Sequence, residues 1–167
     1  MNIGDICTRE VVMADRGSSL QQAAALMREH HVGSVLVVAG SPGATQAVGI
    51  LTDRDMVVDA VARGLDVAQT EIGRLTDGKL ACVPATTSID DAVATMKEQG
   101  VRRLLVASDS GELYGIVSLD DLLGALAHEV SDLAYAMRRG IERESGRRPP
   151  LPRVEPQAIR ILQYPSA

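Results

Sequence analysis

The sequence predicts an α+β fold in which one β-α-β-β-α unit occurs twice in tandem, followed by an extended C-terminal helix and a tail rich in Pro and Arg. Three observations carry this reading. The stretch Val48-Gly49-Ile50-Leu51-Thr52-Asp53-Arg54-Asp55 recurs as Tyr114-Gly115-Ile116-Val117-Ser118-Leu119-Asp120-Asp121, that is, Gly, an aliphatic pair, a hydroxyl residue and, three positions on, Asp. Placing Ile3 on Ile72 carries Gly4 to Gly73, Ala23 to Ala92, Met27 to Met96, Val32 to Val101, Leu36 to Leu105 and Val37 to Val106. That repeat of about 69 residues is too long, and has too few copies, for a solenoid. Finally, Leu119, Leu123, Leu126, Val130, Leu133 and Met137 alternate spacings of four and three, a heptad seam.

Each unit reads in the same order. Val11 to Ala14 and Leu80 to Val83 are short apolar strands. Ser19-Leu20-Gln21-Gln22 and Ser88-Ile89-Asp90-Asp91 place an amide or carboxylate three residues after Ser, the pattern of a reciprocal helix cap. Behind each cap, Leu20, Ala23, Ala24 and Met27, and likewise Ile89, Ala92, Val93 and Met96, form one apolar helical face. The helices run out near His30-His31-Val32-Gly33 and Gln99-Gly100, where Gly suits a left-handed cap. Val35 to Val38 and Leu104 to Ala107 are continuous apolar runs of strand length, each followed by a turn containing Gly43 or Gly111 and then by the repeated motif. The first copy carries its extra residues in the turn from Gly40 to Gln46, where insertions are tolerated. The units therefore span 3–62 and 72–128, with a linker from Arg63 to Glu71 and an extension over 129–167. The last helix is expected to continue to about Glu144, its first part, Leu119 to Leu126, packing on its own unit. Beyond Gly146 the run Arg147-Arg148-Pro149-Pro150-Leu151-Pro152 cannot continue a helix. The seam asks for a partner helix, most simply its twin in a homodimer.

Composition narrows the function classes. With 167 residues, 46% hydrophobic residues and a net charge of −5, the chain is an ordinary globular one with enough core to fold without staples. No apolar run reaches the length of a membrane helix, and the N-terminus lacks a basic segment followed by an apolar one, so a cytoplasmic location without membrane attachment is expected. Cys7 and Cys82 are too few for a disulfide framework or a zinc site and are expected as buried thiols. There is no Phe or Trp and only three Tyr, which leaves single-stranded nucleic acid few surfaces to stack on. Charge is uneven: seven Arg against three Glu lie between Arg138 and Arg160, a basic segment expected to be a solvated tail, with RNA, an acidic partner or a membrane surface as the alternatives.

The repeated motif has two physical readings. Thr52 or Ser118 at a strand end is a good N-cap, and the carboxylate of Asp55 or Asp121 suits the positive end of the helix dipole. The same corner gathers N–H groups, a hydroxyl and an acceptor carboxylate, which could hold a polyhydroxyl ligand such as ribose. Over 3–128, this pair of motifs at this spacing resembles a tandem pair of cystathionine-β-synthase (CBS) domains. The resemblance implies two units packed about a pseudo-two-fold, with two clefts that bind AMP, ADP, ATP or S-adenosylmethionine as a regulatory ligand, and a pair that often dimerises. It implies that Asp55 and Asp121 hold ribose hydroxyls and that Thr52 and Ser118 contact ribose or the α-phosphate. Phosphates would meet the basic pair Arg102 and Arg103, matched in the first copy only by Gly33 and Ser34, so the clefts are expected to be unequal, with Asp121 serving the Arg-bearing one. Arg54 is either a substitute phosphate ligand or the partner of Asp53 in a surface ion pair. The base would be contacted by Val12, Ala14, Val48 and Ile50 in one half and by Ala81, Val83 and Tyr114 in the other.

No catalytic or metal site is expected. Asp53-Arg54-Asp55 fits the D-x-D nucleophile pattern of haloacid-dehalogenase phosphatases, but the second copy puts Leu119 at the nucleophile position, and the only Lys residues are Lys79 and Lys97. His30, His31 and His128 have no metal-ligand spacing, and no G-x-S-x-G or P-loop pattern occurs. The expected function is a non-enzymatic regulatory module that reports an adenosyl ligand to a protein target. The alternative is a ligand-free dimerisation scaffold whose basic tail binds a partner.

Overall fold

Both units fold around a three-stranded sheet, and the computed structural model describes residues 1–41, 45–76 and 80–147. In chain order the elements are α1 (Ile3–Ile6), β1 (Met13–Asp15), α2 (Leu20–Glu29), β2 (Ser34–Ala39), β3 (Gln46–Thr52), α3 (Asp53–Asp55), β4 (Cys82–Pro84), α4 (Ile89–Gln99), β5 (Arg103–Ala107), β6 (Leu113–Ser118) and α5 (Leu119–Arg147). A π-helical segment, Met56–Val61, continues α3, and a 3-10 turn, Ile72–Arg74, opens the second unit. Each sheet has its middle strand parallel to the first and antiparallel to the third. The duplication extends to register. Met13 pairs with Leu36 as Cys82 pairs with Leu105, and the β2–β3 register shift at Val37/Val38 recurs in β5–β6 at Val106/Ala107.

Several boundaries differ from those read in the sequence. The first strands begin two residues later than expected, at Met13 and Cys82, because the parallel pairing starts there. The left-handed cap of α2 falls on His31 (φ 54°) and not on Gly33, whereas α4 uses Gly100 (φ 65°) as expected. His31 and Gly100 are equivalent under the repeat, so the backbone kept its turn while the side chain changed, at a cost of roughly 1 kcal/mol. Residues 63–71 are not a free linker: Leu20 and Gln21 donate their N–H groups to the carbonyls of Thr70 and Val67, and Thr70 is buried. Residues 42–44, which include Gly43, and the tail from 148 onward, with its Pro and Arg, lie outside the described residues.

The two halves are joined by an exchange of their leading segments. Ile3 is fully buried in the core of the second half, with Val83, Met96, Leu104 and Leu122, while Ile72 is fully buried in the core of the first, with Leu20, Met27, Val35 and Leu51. Backbone bonds fix both crossings: Ile3 and Gly4 donate to Thr87 and Ala85, and in mirror fashion Ile72 and Gly73 donate to Ser18 and Arg16. Thr8 and Ile116 exchange N–H···O bonds in both directions, which lays the first leader across β6. This crossing explains the glycine of the repeated motif. A Cβ on Gly115 would stand 2.6 Å from the Thr8 carbonyl oxygen and 2.9 Å from the Cys7 sulfur, and one on Gly49 would stand 2.6 Å from Thr76 Cβ.

Residues Met1–Leu126 form one compact unit, and Ala127 onward forms a second. At the start of α5 it is Leu122 that is buried, at 1% exposure, with Leu119 packed beside it. Leu123 and Leu126, expected to pack on their own half, are 57% and 40% exposed because they point along the seam and not into the core. No described helix is long and apolar enough to cross a membrane.

The crossing predicts the effect of filling it. Gly115→Ala should lose about 1–3 kcal/mol through overpacking against rigid backbone, read as a fall of several degrees in Tm by thermal denaturation. Gly124→Ala, where a Cβ on α5 meets nothing within 4 Å, should hold or raise it. Equal Tm values for Gly115→Ala and the parent would contradict the close approach.

Candidate functional site

The two motif corners have the same hydrogen-bonded construction. Thr52 ends β3 in extended backbone; its hydroxyl donates to Asp55 Oδ2 at 2.7 Å, its N–H donates to the same oxygen at 2.9 Å, and Asp55 N–H donates back to the Thr52 hydroxyl at 3.1 Å. At the end of β6 the Ser118 hydroxyl and N–H reach Asp121 Oδ2 at 2.6 and 2.8 Å, and Asp121 N–H returns to Ser118 at 3.2 Å. The capping reading is therefore correct for both copies. Every bond that the two carboxylates accept falls on Oδ2, and among the described residues neither Oδ1 has a protein partner. Each half-buried side chain thus keeps one carboxylate oxygen able to accept further hydrogen bonds.

A cleft lies beside each corner. The larger, about 930 Å³, is lined by Ile50, Thr52, Arg54 and Asp55 from the first half and by Leu80, Ala81, Gln99, Gly100, Val101, Arg102 and Arg103 from the second. The smaller, about 220 Å³, is lined by Ile116, Ser118 and Asp121 from the second half, by Thr8, Glu10, Val11, Val12, Val32, Gly33, Ser34 and Leu36 from the first, and again by Arg103. The linings correspond under the repeat: Val12 with Ala81, Val32 with Val101, Gly33 with Arg102, Ser34 with Arg103. Backbone bonds hold the equivalent edges, since Asp53 N–H donates to the Gly33 carbonyl and Leu119 N–H to that of Arg102.

This geometry corrects one expected pairing. Arg102 shares a cleft with Asp55 and not with Asp121, because each corner opens toward the start of the middle strand in the opposite half. Asp121 instead faces Gly33 and Ser34, and Arg103 lines both clefts. Arg103 Nη2 and Asp53 Oδ2 each lie 3.5 Å from where a Cβ on Gly33 would stand. Arg54 makes no ion pair with Asp53; only its N–H donates to Asp53 Oδ1, and its side chain lines the larger cleft.

Other expected base contacts lie elsewhere. Ala14 and Val83 are buried in the two cores, and Val48, at the register shift between β2 and β3, packs against the first. Tyr114 packs against the second core under the Arg9 guanidinium, 3.3 Å from its ring centroid, so it anchors the leader and lines neither cleft. Residues that the sequence reading missed, Thr8 and Glu10 above all, enter through the leader exchange. The repeat could have pointed to Val32, Gln99 and Val101, which adjoin residues already singled out.

The cysteines differ from each other. Cys7 is buried as expected, but Cys82 is exposed on an outer strand, although partial burial of its thiol raises the pKa above the ordinary value against a smaller lowering from the Val83 backbone. Raised in this way, the thiol holds less thiolate at neutral pH than a free cysteine does. Among the described residues no group of three or more His, Cys, Asp or Glu is placed to hold a metal.

Comparison with known proteins agrees with the duplication. The family model described as "CBS domain" matches twice, over residues 3–59 and 72–128. Hypoxic response protein 1 of Mycobacterium tuberculosis is 36% identical over 118 residues, 71% of this chain and 80% of that protein. The crystal structure of Hypoxic Response Protein I, with two coordinated zinc ions, superposes with a TM-score of 0.62 at 32% identity, covering 74% of this chain and 97% of that one. The CBS domain of a bacterial CNNM/CorC family Mg²⁺ transporter, solved in complex with ATP, shares the fold at a TM-score of 0.63 and 22% identity, covering 74% and 84%.

Proposed function

Because the chain belongs to the CBS domain family and carries that domain twice, we propose that it is a non-enzymatic regulatory module that binds adenosine-containing ligands (AMP, ADP, ATP or S-adenosylmethionine) in its two clefts. The observation that carries this reading is the uncommitted Oδ1 of Asp55 and of Asp121, two half-buried side chains that each line a cleft. A carboxylate oxygen held rigid through its sibling atom is a preorganised acceptor for the paired hydroxyls of ribose, and such charged acceptors are the stronger kind. Ile50, Ala81 and Val101 in the larger cleft, and Val12, Val32 and Ile116 in the smaller, give apolar surface for a base. Arg54, Arg102 and Arg103 supply guanidinium groups for phosphate. The solved ATP complex of a fold neighbour is consistent with such a ligand. Since the clefts are built from both halves, a bound ligand biases the arrangement of the halves by whatever differential affinity it has, and a target protein reads that arrangement.

We assign the module to a homodimer on the strength of α5. Val130, Leu133 and Met137 are 66%, 71% and 63% exposed along a heptad seam, with Leu123 and Leu126 preceding them. Such a row of large apolar side chains is costly to leave in water and matches its own copy. The same face favours the scaffold reading, in which dimerisation is the whole function and the clefts hold nothing.

Two measurements separate these readings. Thermal unfolding with AMP, ADP, ATP, S-adenosylmethionine and NAD should show stabilisation by at least one of them. A ligand at a hundred times its Kd adds about 2.7 kcal/mol, or roughly 5–10 °C in Tm for a chain of this size. No shift with any of the five leaves only the scaffold. In sedimentation equilibrium the wild type should be a dimer and Val130→Asp/Leu133→Asp a monomer; a monomeric wild type would refute the seam.

A further inference from the structure

Resting on the reading of the clefts as adenosyl sites, we propose that they are sorted by charge: the Asp55 cleft takes an adenosyl ligand with an anionic 5′ end, and the Asp121 cleft takes a compact one whose 5′ end is uncharged or cationic. Among the described residues, the charged lining of the Asp55 cleft is Arg54, Arg102 and Arg103 against the acid Asp55. In the Asp121 cleft it is Arg103 against Glu10 and Asp121. None of the three Arg is spent in an ion pair with a described residue. The sign of the described lining thus reverses between two clefts of the same construction.

Arg103 makes the difference larger once a ligand binds. Among the described residues it is the one charged group common to both linings, and a guanidinium fork that engages a phosphate in one cleft is withdrawn from the other. With Arg103 so engaged, the Asp121 cleft presents only Glu10 and Asp121 as charged groups among its described lining. The volumes point the same way. At about 930 Å³ the Asp55 cleft falls in the range of small-molecule pockets, whereas about 220 Å³ falls below it and suits a nucleoside without phosphates.

One substitution within the repeat contributes directly: Gly33 stands where the second half has Arg102. A side chain at Gly33 is sterically acceptable, since its Cβ would meet Arg103 and Asp53 at ordinary contact distance, 3.5 Å. Gly33→Arg should therefore convert the smaller cleft toward anions.

Isothermal titration with a matched pair, AMP and 5′-amino-5′-deoxyadenosine, tests this, since the two share adenosine and differ in the sign of the 5′ group. Wild-type protein should bind one of each per chain without competition. Asp55→Asn, which keeps a carbonyl for the cap, should weaken AMP by about tenfold or more and leave the amino compound within about twofold; Asp121→Asn should do the reverse. Gly33→Arg should raise the AMP stoichiometry from one to two per chain. Two equivalent AMP sites in the wild type, or both ligands following the same Asp, would overturn the sorting while leaving the adenosyl reading intact. Binding of neither ligand would overturn that reading and the sorting with it.

Discussion

The exchange of leading segments is the constraint on which the rest of the structure depends. Ile3 completes the core of the second half and Ile72 that of the first, so neither half closes its core without a piece of chain from outside its own sheet. Both crossings need a motif glycine beneath them, at Gly49 and Gly115. Because the leaders cross, the end of β3 opens toward the start of β5, and the end of β6 toward the start of β2, which turns two capped corners into two composite clefts.

Capping and ligand binding are not rivals at these corners. A cap needs one oxygen of Asp55 or Asp121, and that oxygen already accepts a hydroxyl and an N–H. The cap contributes about 1 kcal/mol to each helix start, and it also fixes the carboxylate so that binding does not have to order it. The second oxygen is then placed at no further entropic cost. Structural and functional roles share a side chain but fall on different atoms.

Much of this was legible in the sequence, and the failures have physical reasons. The repeat gave the two units, the order of elements along each and the identity of the corner residues, because matching positions in the two copies carry the same apolar pattern. Hydrophobic pattern gave no sign that Ile3 serves the far half, since an Ile reads the same in either core. The same blindness assigned Asp121 to the wrong cleft: which corner faces which strand is a matter of tertiary exchange, and Arg102 carries no local mark of the half it will face. Tyr114 looked like a base contact and proved to be a prop for Arg9 and the leader. The closing helix expected of the first unit takes a π-helical form over Met56–Val61, a difference in backbone hydrogen bonding that side-chain spacing does not report.

The central claim is that a sugar docks on the spare oxygen of a cap, and a crystal structure of the protein grown with saturating AMP tests it most directly. The account predicts both ribose hydroxyls within hydrogen-bond distance of Asp55 Oδ1, with the phosphate among Arg54, Arg102 and Arg103. An ordered nucleotide held away from both corners, or clefts left empty in crystals of undamaged protein at that concentration, would contradict it.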